Sequence, residues 1–274
     1  MNPVLVPDHI FDAVNDSAPE VVEKWLASVA APRDVVNFVR TGVDHGNATL
    51  LSYASCVTPF AAKEFELMRL LISHGADVNH IETDNASPIQ NVLYLFNARC
   101  SAKAVMDIIV LLLNAGADVN RKGFDGFPIA MAVQKFAEPA EHPPGRALLA
   151  EVITTLLRAG ASADTSSALH MSGWQAMRDV ETMIRQSADV LSAAHDPQLA
   201  MLRTDANFAT VKAQINGVHA AGSWRTYIMA PRLEVLTLRG LANRRKIRST
   251  DPAMNNLLAL PNELICQVLA FWFG

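Results

Sequence analysis

A ten-residue phrase that returns twice constrains this chain more than any other feature. Leu70-Leu71-Ile72-Ser73-His74-Gly75-Ala76-Asp77-Val78-Asn79 recurs as Leu111-Leu112-Leu113-Asn114-Ala115-Gly116-Ala117-Asp118-Val119-Asn120. It recurs again, eroded, as Thr155-Leu156-Leu157-Arg158-Ala159-Gly160-Ala161-Ser162-Ala163-Asp164. The three glycines stand 41 and 44 residues apart. Each copy predicts paired leucines on the buried face of a helix's last turns. A glycine then ends the helix in left-handed backbone, and a small alanine lets the chain turn away. Three copies in phase point to stacked modules, each contacting only its neighbours, rather than one globular core.

A second signal follows each copy at a nearly constant offset. It reads Ser87-Pro88-Ile89-Gln90 after the first and Gly126-Phe127-Pro128-Ile129 after the second, while Asn47-Ala48-Thr49-Leu50-Leu51-Ser52-Tyr53-Ala54 holds the same place upstream. Ser87 suits a helix cap, Pro88 the first helical position, and Gln90 completes a capping box. The unit is therefore hairpin loop, helix, connection, helix, glycine stop. Ile89, Val92, Ile108, Ile109 and Leu112 are expected in its core.

These residues resemble the ankyrin repeat, whose Gly-x-Thr-Pro-Leu-His-x-Ala, Leu-Leu and Gly-Ala-Asp-Val-Asn signals they match. Asp77 to Leu93 aligns without a gap, with Asn85 for the turn glycine, Ser87 for Thr, Ile89 for Leu and Gln90 for His. The periods exceed the family's ~33 residues. The extra length falls between the two helices, most visibly in 137–146. At the N-terminus, 11–26 reads as a first, capping repeat, with a capping box from Ser17 to Glu20 and an apolar stripe of Val21, Val22, Trp25 and Leu26. Ser172-Gly173-Trp174 opens a degenerate fifth unit with a helix around Val180 to Ile184. The resemblance implies an all-α ankyrin-repeat solenoid of four to five degenerate, lengthened repeats over residues 9–195.

The text changes after that. Val211, Ile215 and Val218 suggest a helix, Gly222-Ser223 breaks it, and Trp224 to Arg232 leads into a stripe of Leu233, Leu236, Leu238 and Leu241. A polar stretch, 243–252, precedes a last helix opening at Leu260-Pro261. Residues 205–274 are expected to form a helical C-terminal region. Its final helix is similar to the opening of an F-box, through Leu260, Pro261, Glu263, Leu264, Val268, Leu269 and Phe271. An F-box carries further helical segments, whereas this sequence ends at Gly274. Poxvirus ankyrin proteins end in a similarly truncated helix. The SOCS box is a weaker likeness, through Leu233, Leu241 and Leu260-Pro261, with Arg232, Thr237 and Glu263 departing from it. The tail as a whole looks like those of ankyrin proteins from unicellular algae and large DNA viruses. Either likeness implies docking to a ubiquitin ligase, through a Skp-family adaptor or elongin with a cullin. The alternative is a helical cap, with Leu264, Val268 and Leu269 facing the last repeat.

Composition narrows the functional classes. Half of the 274 residues are hydrophobic at a net charge of -4, which excludes a disordered chain and gives no overall polyanion-binding character. The run Arg244-Arg245-Lys246-Ile247-Arg248 reads as a solvated loop, a nuclear signal or a polyanion contact. No apolar run reaches the ~18–20 residues of a membrane helix, and the first residues lack the charged start of a signal peptide. Cys56, Cys100 and Cys266 are scattered, without C-x-x-C pairs, which fits thiols in the cytoplasm or nucleus. The eight histidines form no i,i+4 pair and no phosphate loop or nucleophile elbow occurs, so no metal, cofactor or enzymatic activity is expected. His74, beside its glycine, suits a helix C-terminus.

The expected function is protein binding on the concave surface of loop tips and inner helices, with no nucleic-acid or membrane partner. The candidate tips are His80, Ile81, Glu82 and Thr83, then Arg121, Lys122, Phe124 and Asp125. Phe124 is either an exposed aromatic anchor or a ring folded back on a neighbouring loop. The chain is read as an adaptor delivering its target to a ligase, or as a plain scaffold or inhibitor whose tail only caps the stack.

Overall fold

The computed structural model describes residues 6–40, 47–83, 85–123, 126–137, 145–166, 170–187, 196–244, 250–261, 264–265 and 267. Its described residues form helices and no strand. They divide into two compact units, 1–216 and 217–274.

The first unit is built from helix pairs. They are α1 (Asp8–Asn15) with α2 (Pro19–Leu26), α4 (Leu50–Cys56) with α5 (Ala62–Ser73), α6 (Pro88–Leu95) with α7 (Ala102–Asn114), and α8 (Pro128–Gln134) with α9 (Arg146–Arg158). A short α3 (Pro32–Val36) follows the first pair. Beyond α9 come α10 (Gly173–Ser187), α11 (Pro197–Met201), a 3-10 turn Leu202–Thr204 and α12 (Ala206–Ala221), which crosses the division between units. The first helices pack in series, α1 on α4, α4 on α6, α6 on α8 and α8 on α10. The second helices make a parallel series from α2 through α5 and α7 to α9. Thr154 of α9 then donates to the Gln214 amide oxygen of α12 (2.9 Å), so α12 adjoins α9 in the second layer.

The core lies between and within these layers. Ile89, Val92, Ile108, Ile109 and Leu112 are buried as expected, together with Phe11, Phe60 and Phe96. Each such side chain contributes about 1.5–3 kcal/mol by leaving water. The connections are tied as well: Ser101 N–H donates to the Phe60 carbonyl (2.8 Å), and Phe60 N–H to the Cys100 thiol (3.4 Å).

The glycine stops form as the phrase predicts. Gly75, Gly116 and Gly160 take φ of 85°, 92° and 95°. The alanine after each donates back five residues, Ala76 to Leu71, Ala117 to Leu112 and Ala161 to Leu156, at 2.9–3.1 Å. These are the six-to-one bonds of a Schellman ending. Of the capping box expected at Ser87 and Gln90 the Gln90 half forms, with Ser87 N–H donating to Gln90 Oε1 (3.0 Å) and Pro88 at the first helical position.

The box expected from Ser17 to Glu20 does not form. Ser17 has φ 49°, and its hydroxyl is buried without a hydrogen-bond partner. Ser17 N–H donates to the Val14 carbonyl and Ala18 N–H to the Ala13 carbonyl. Ser17 therefore ends α1 as the glycines end later helices, and left-handed backbone is incompatible with the extended geometry of an N-cap. In the stripe beside it, Val22 and Leu26 are buried, Trp25 is half-buried and Val21 is exposed.

In the second unit, α13 (Trp224–Asn243) runs unbroken through Pro231, extending the segment that leads into the leucines. Gly217 lies so close to the Tyr227 ring that an added Cβ would meet a ring carbon at 2.1 Å. Helix α14 (Pro252–Ala259) occupies sequence with no helix expected. Its start is legible in retrospect: Pro252 is the first helical residue, and Asp251 before it accepts from Ala253 N–H (2.8 Å).

Candidate functional site

One asparagine per module links successive turns. Asn37 Nδ2 donates to the Gly75 carbonyl (2.9 Å), Asn79 Nδ2 to Gly116 (2.8 Å) and Asn120 Nδ2 to Gly160 (3.0 Å). The Oδ1 of the same residues accepts from Asp77, Asp118 and Ser162 N–H, at 2.7, 2.7 and 2.8 Å. Each amide thus satisfies the carbonyl of a glycine stop and a loop N–H of the next module. Asp77 and Asp118 fold the turn locally by accepting from Asn79 and Asn120 N–H. Asn79 and Asn120 belong to the repeated phrase, whereas Asn37 is hidden in Asp34-Val35-Val36-Asn37, which lacks the Gly-Ala beside it.

The hairpin tips are tied to their neighbours on both sides. His80 Nε2 donates to the Asn47 carbonyl (2.7 Å), and Asn85 Nδ2 to the Lys122 carbonyl (3.3 Å). Buried Gln90 reaches the Arg121 and Gly126 carbonyls (3.2 and 3.0 Å), while its Oε1 accepts from Ser87 N–H and Oγ. Asn85 itself sits at φ 62°, the left-handed geometry a turn glycine would supply. An added Cβ on Gly123 would meet Gln90 Nε2 at 2.3 Å, so a side chain there would displace the Gln90 amide.

These bonds fix where the proposed contact residues stand. Thr83 and Lys122 are exposed, while His80, Ile81, Glu82 and Arg121 are half-buried. Arg121 also pairs with Asp118 at 3.7 Å. Phe124 and Asp125 lie outside the described residues. Sequence reasoning passed over Tyr94, which is 58% exposed on α6. Its signal was phase, since it falls two residues after core Val92, off the i+3/i+4 rows. The backbone below it is held by buried Lys135, whose Nζ donates to the Tyr94 carbonyl (2.9 Å) and lies 5.2 Å from the Phe96 ring centre.

The tail residues divide. Leu233 is 55% exposed and Leu264 45%, Pro261 is exposed and Leu260 is half-buried. The Leu260 carbonyl accepts from the Arg239 guanidinium, and Ile265 is fully buried. Glu263, Val268 and Leu269 lie outside the described residues.

Among the described residues no group of three His, Cys, Asp or Glu side chains could hold a metal ion, and no helix is long and apolar enough to cross a membrane. Cys56 is exposed and Cys100 buried, and neither forms a disulfide. His74 Nδ1 bonds the Leu70 carbonyl (2.9 Å) at its helix end. No family model matches this chain, and no curated protein matches it.

Proposed function

We propose that residues 9–195 are an ankyrin-type repeat solenoid acting as a non-catalytic protein-binding module. The partner contacts Thr83, Arg121, Lys122 and Tyr94. The observation that carries this reading is the asparagine ladder. It recurs once per module and holds the tips in register, so a polypeptide can be read across several of them by area and shape. Aromatic and arginine side chains on such a surface supply most of the binding energy. The test is cross-linking capture by the full chain, compared with Tyr94→Ala and Arg121→Glu/Lys122→Glu chains. Loss of the same cross-linked protein from the variants, with circular dichroism unchanged, is the expected result. Equal capture by all three chains rejects the surface.

The adaptor role is the second half of the proposal. Exposure of Leu233, Leu236 and Leu264 favours a tail that docks a Skp-family adaptor, or elongin, with a cullin. Burial of Ile265 and the Arg239 bond to Leu260 favour the competing scaffold, whose tail offers no free docking segment. Co-purification of a ligase component that is lost on Leu264→Asp supports docking. Absence of any such component leaves the scaffold.

A further inference from the structure

A cavity of about 420 Å³ opens between α10, the 3-10 turn and α12, sharing no residue with the hairpin tips. Its apolar side is made by Ile184, Leu202 and Phe208, all buried, with the Phe208 ring braced edge-on against Phe136 at 5.4 Å. Its polar side carries Arg178, Arg185, Arg203 and Lys212 against one carboxylate, Glu181. In a chain of net charge -4, this concentration of cations runs against the whole.

The nearby acids are committed. Glu181 pairs with Lys212, Asp205 accepts from Phe208 N–H (2.8 Å) and pairs with Arg146 (3.3 Å), and Asp196 accepts from Leu199 N–H (3.3 Å). Asp179 is on α10 and exposed, but does not line the cavity. The arginines are oriented by uncharged groups: Arg178 stacks 5.1 Å over the Trp174 ring, and Arg185 Nη2 donates to Thr182 (3.2 Å). Stacked or singly bonded guanidinium groups keep donors for planar anions such as carboxylates. The volume lies within the range of small binding pockets, large enough for one apolar side chain and its flanking groups.

We propose that this cavity binds an acidic peptide segment of a partner protein. One aromatic or aliphatic side chain seats on Phe208, Leu202 and Ile184, and flanking carboxylates pair with Arg178, Arg185 and Arg203. The apolar floor sets which residue is held, and the arginines set the charge of its neighbours.

Fluorescence anisotropy of a labelled Glu-Asp-Phe-Asp-Glu peptide with the full chain tests this. The expected result is saturable one-site binding, weakened about tenfold by Arg203→Glu and about a hundredfold by Arg185→Glu/Arg203→Glu, following the usual strength of charged hydrogen bonds. Replacing the peptide's Phe by Ser weakens binding about tenfold, and a Lys-Lys-Phe-Lys-Lys peptide does not bind. An unchanged Kd in the arginine variants, equal affinity for the Phe and Ser peptides, or no binding overturns the proposal. Displacement of the peptide by millimolar inorganic phosphate also overturns it, in favour of a small-anion site. Because Arg203 is exposed, Arg203→Gln provides the same comparison should the double variant fail to fold. The Arg121→Glu/Lys122→Glu chain retains this binding, which separates failure here from failure of the tip surface.

Discussion

The two units use apolar side chains in opposite ways. In 6–216 the leucines and isoleucines of one helix find a like helix of the next module, and Leu67, Leu71, Ile108, Leu112 and Leu156 are fully buried. In the second unit α13 carries leucines just as densely, yet Leu233 and Leu236 are exposed and Leu238 and Leu241 half-buried. The difference lies in repetition. A module with a period guarantees its apolar face a neighbour of matching shape, whereas a single helix without a copy depends on whatever else it meets. The largest break in the comparison is truncation of one leucine in each unit. Leu112→Ala is expected to cost about 2–5 kcal/mol, through lost transfer energy and the cavity left behind. Leu233→Ala changes stability by about 0.5 kcal/mol or less, as surface substitutions do. Urea titrations followed by circular dichroism measure both, and comparable losses would show that α13 is as deeply packed as α7.

Polar groups make the next distinction. Asn79 bridges modules with two bonds, one to Gly116 and one from Asp118. Thr237 in α13 bonds only the Leu233 carbonyl one turn back (2.7 Å). Asn79→Ala should destabilise by about 1–2 kcal/mol, since a carbonyl and an N–H both lose their partner. Asn79→Asp keeps the acceptor but removes the donor, and should fall between Ala and the parent. Thr237→Ala should be neutral or slightly stabilising, because such back-bonding does little for a helix. The same titrations decide it, and an Asn79→Ala chain as stable as the parent would reduce the ladder to decoration.

How much of this was legible depends on whether a residue's role is local. The glycine stops, the Gln90 half of the Ser87–Gln90 box and the core of α6 and α7 follow from contacts within a few residues, so spacing alone revealed them. Ser17 misled because a serine before Ala-Pro-Glu has the composition of an N-cap, and composition does not report a left-handed φ of 49°. The ladder was half visible: Asn79 and Asn120 recur in the text, but their partners lie 37 to 42 residues away. The cationic cavity was not legible at all, since Arg178, Arg203 and Lys212 come from three elements that only folding brings together. Leu233 and Leu264 were singled out as docking residues by likeness, while their exposure is a property of what packs nearby.

The smallest expected effect is also the most discriminating, because it reverses sign between the units. Gly116 and Gly240 both face open space, and an added Cβ meets nothing within 4 Å at either. Steric packing is therefore the same at both positions, and only backbone geometry differs. Gly116 sits at φ 92°, where an L side chain is strained by about 1–2 kcal/mol. Gly240 lies inside α13, where alanine is favoured over glycine by about 0.5–1 kcal/mol. Part of the strain at Gly116 is offset by the reduced entropy of the unfolded chain, which alanine lowers at both sites. Gly116→Ala should thus lower the urea midpoint by the equivalent of about 1 kcal/mol, while Gly240→Ala raises it slightly. Two shifts of the same sign would mean that Gly116 is not held in left-handed backbone or that Gly240 is not held in the helix. Opposite signs would show that the repeat unit keeps its glycines for turning, while α13 carries one it does not need for its fold.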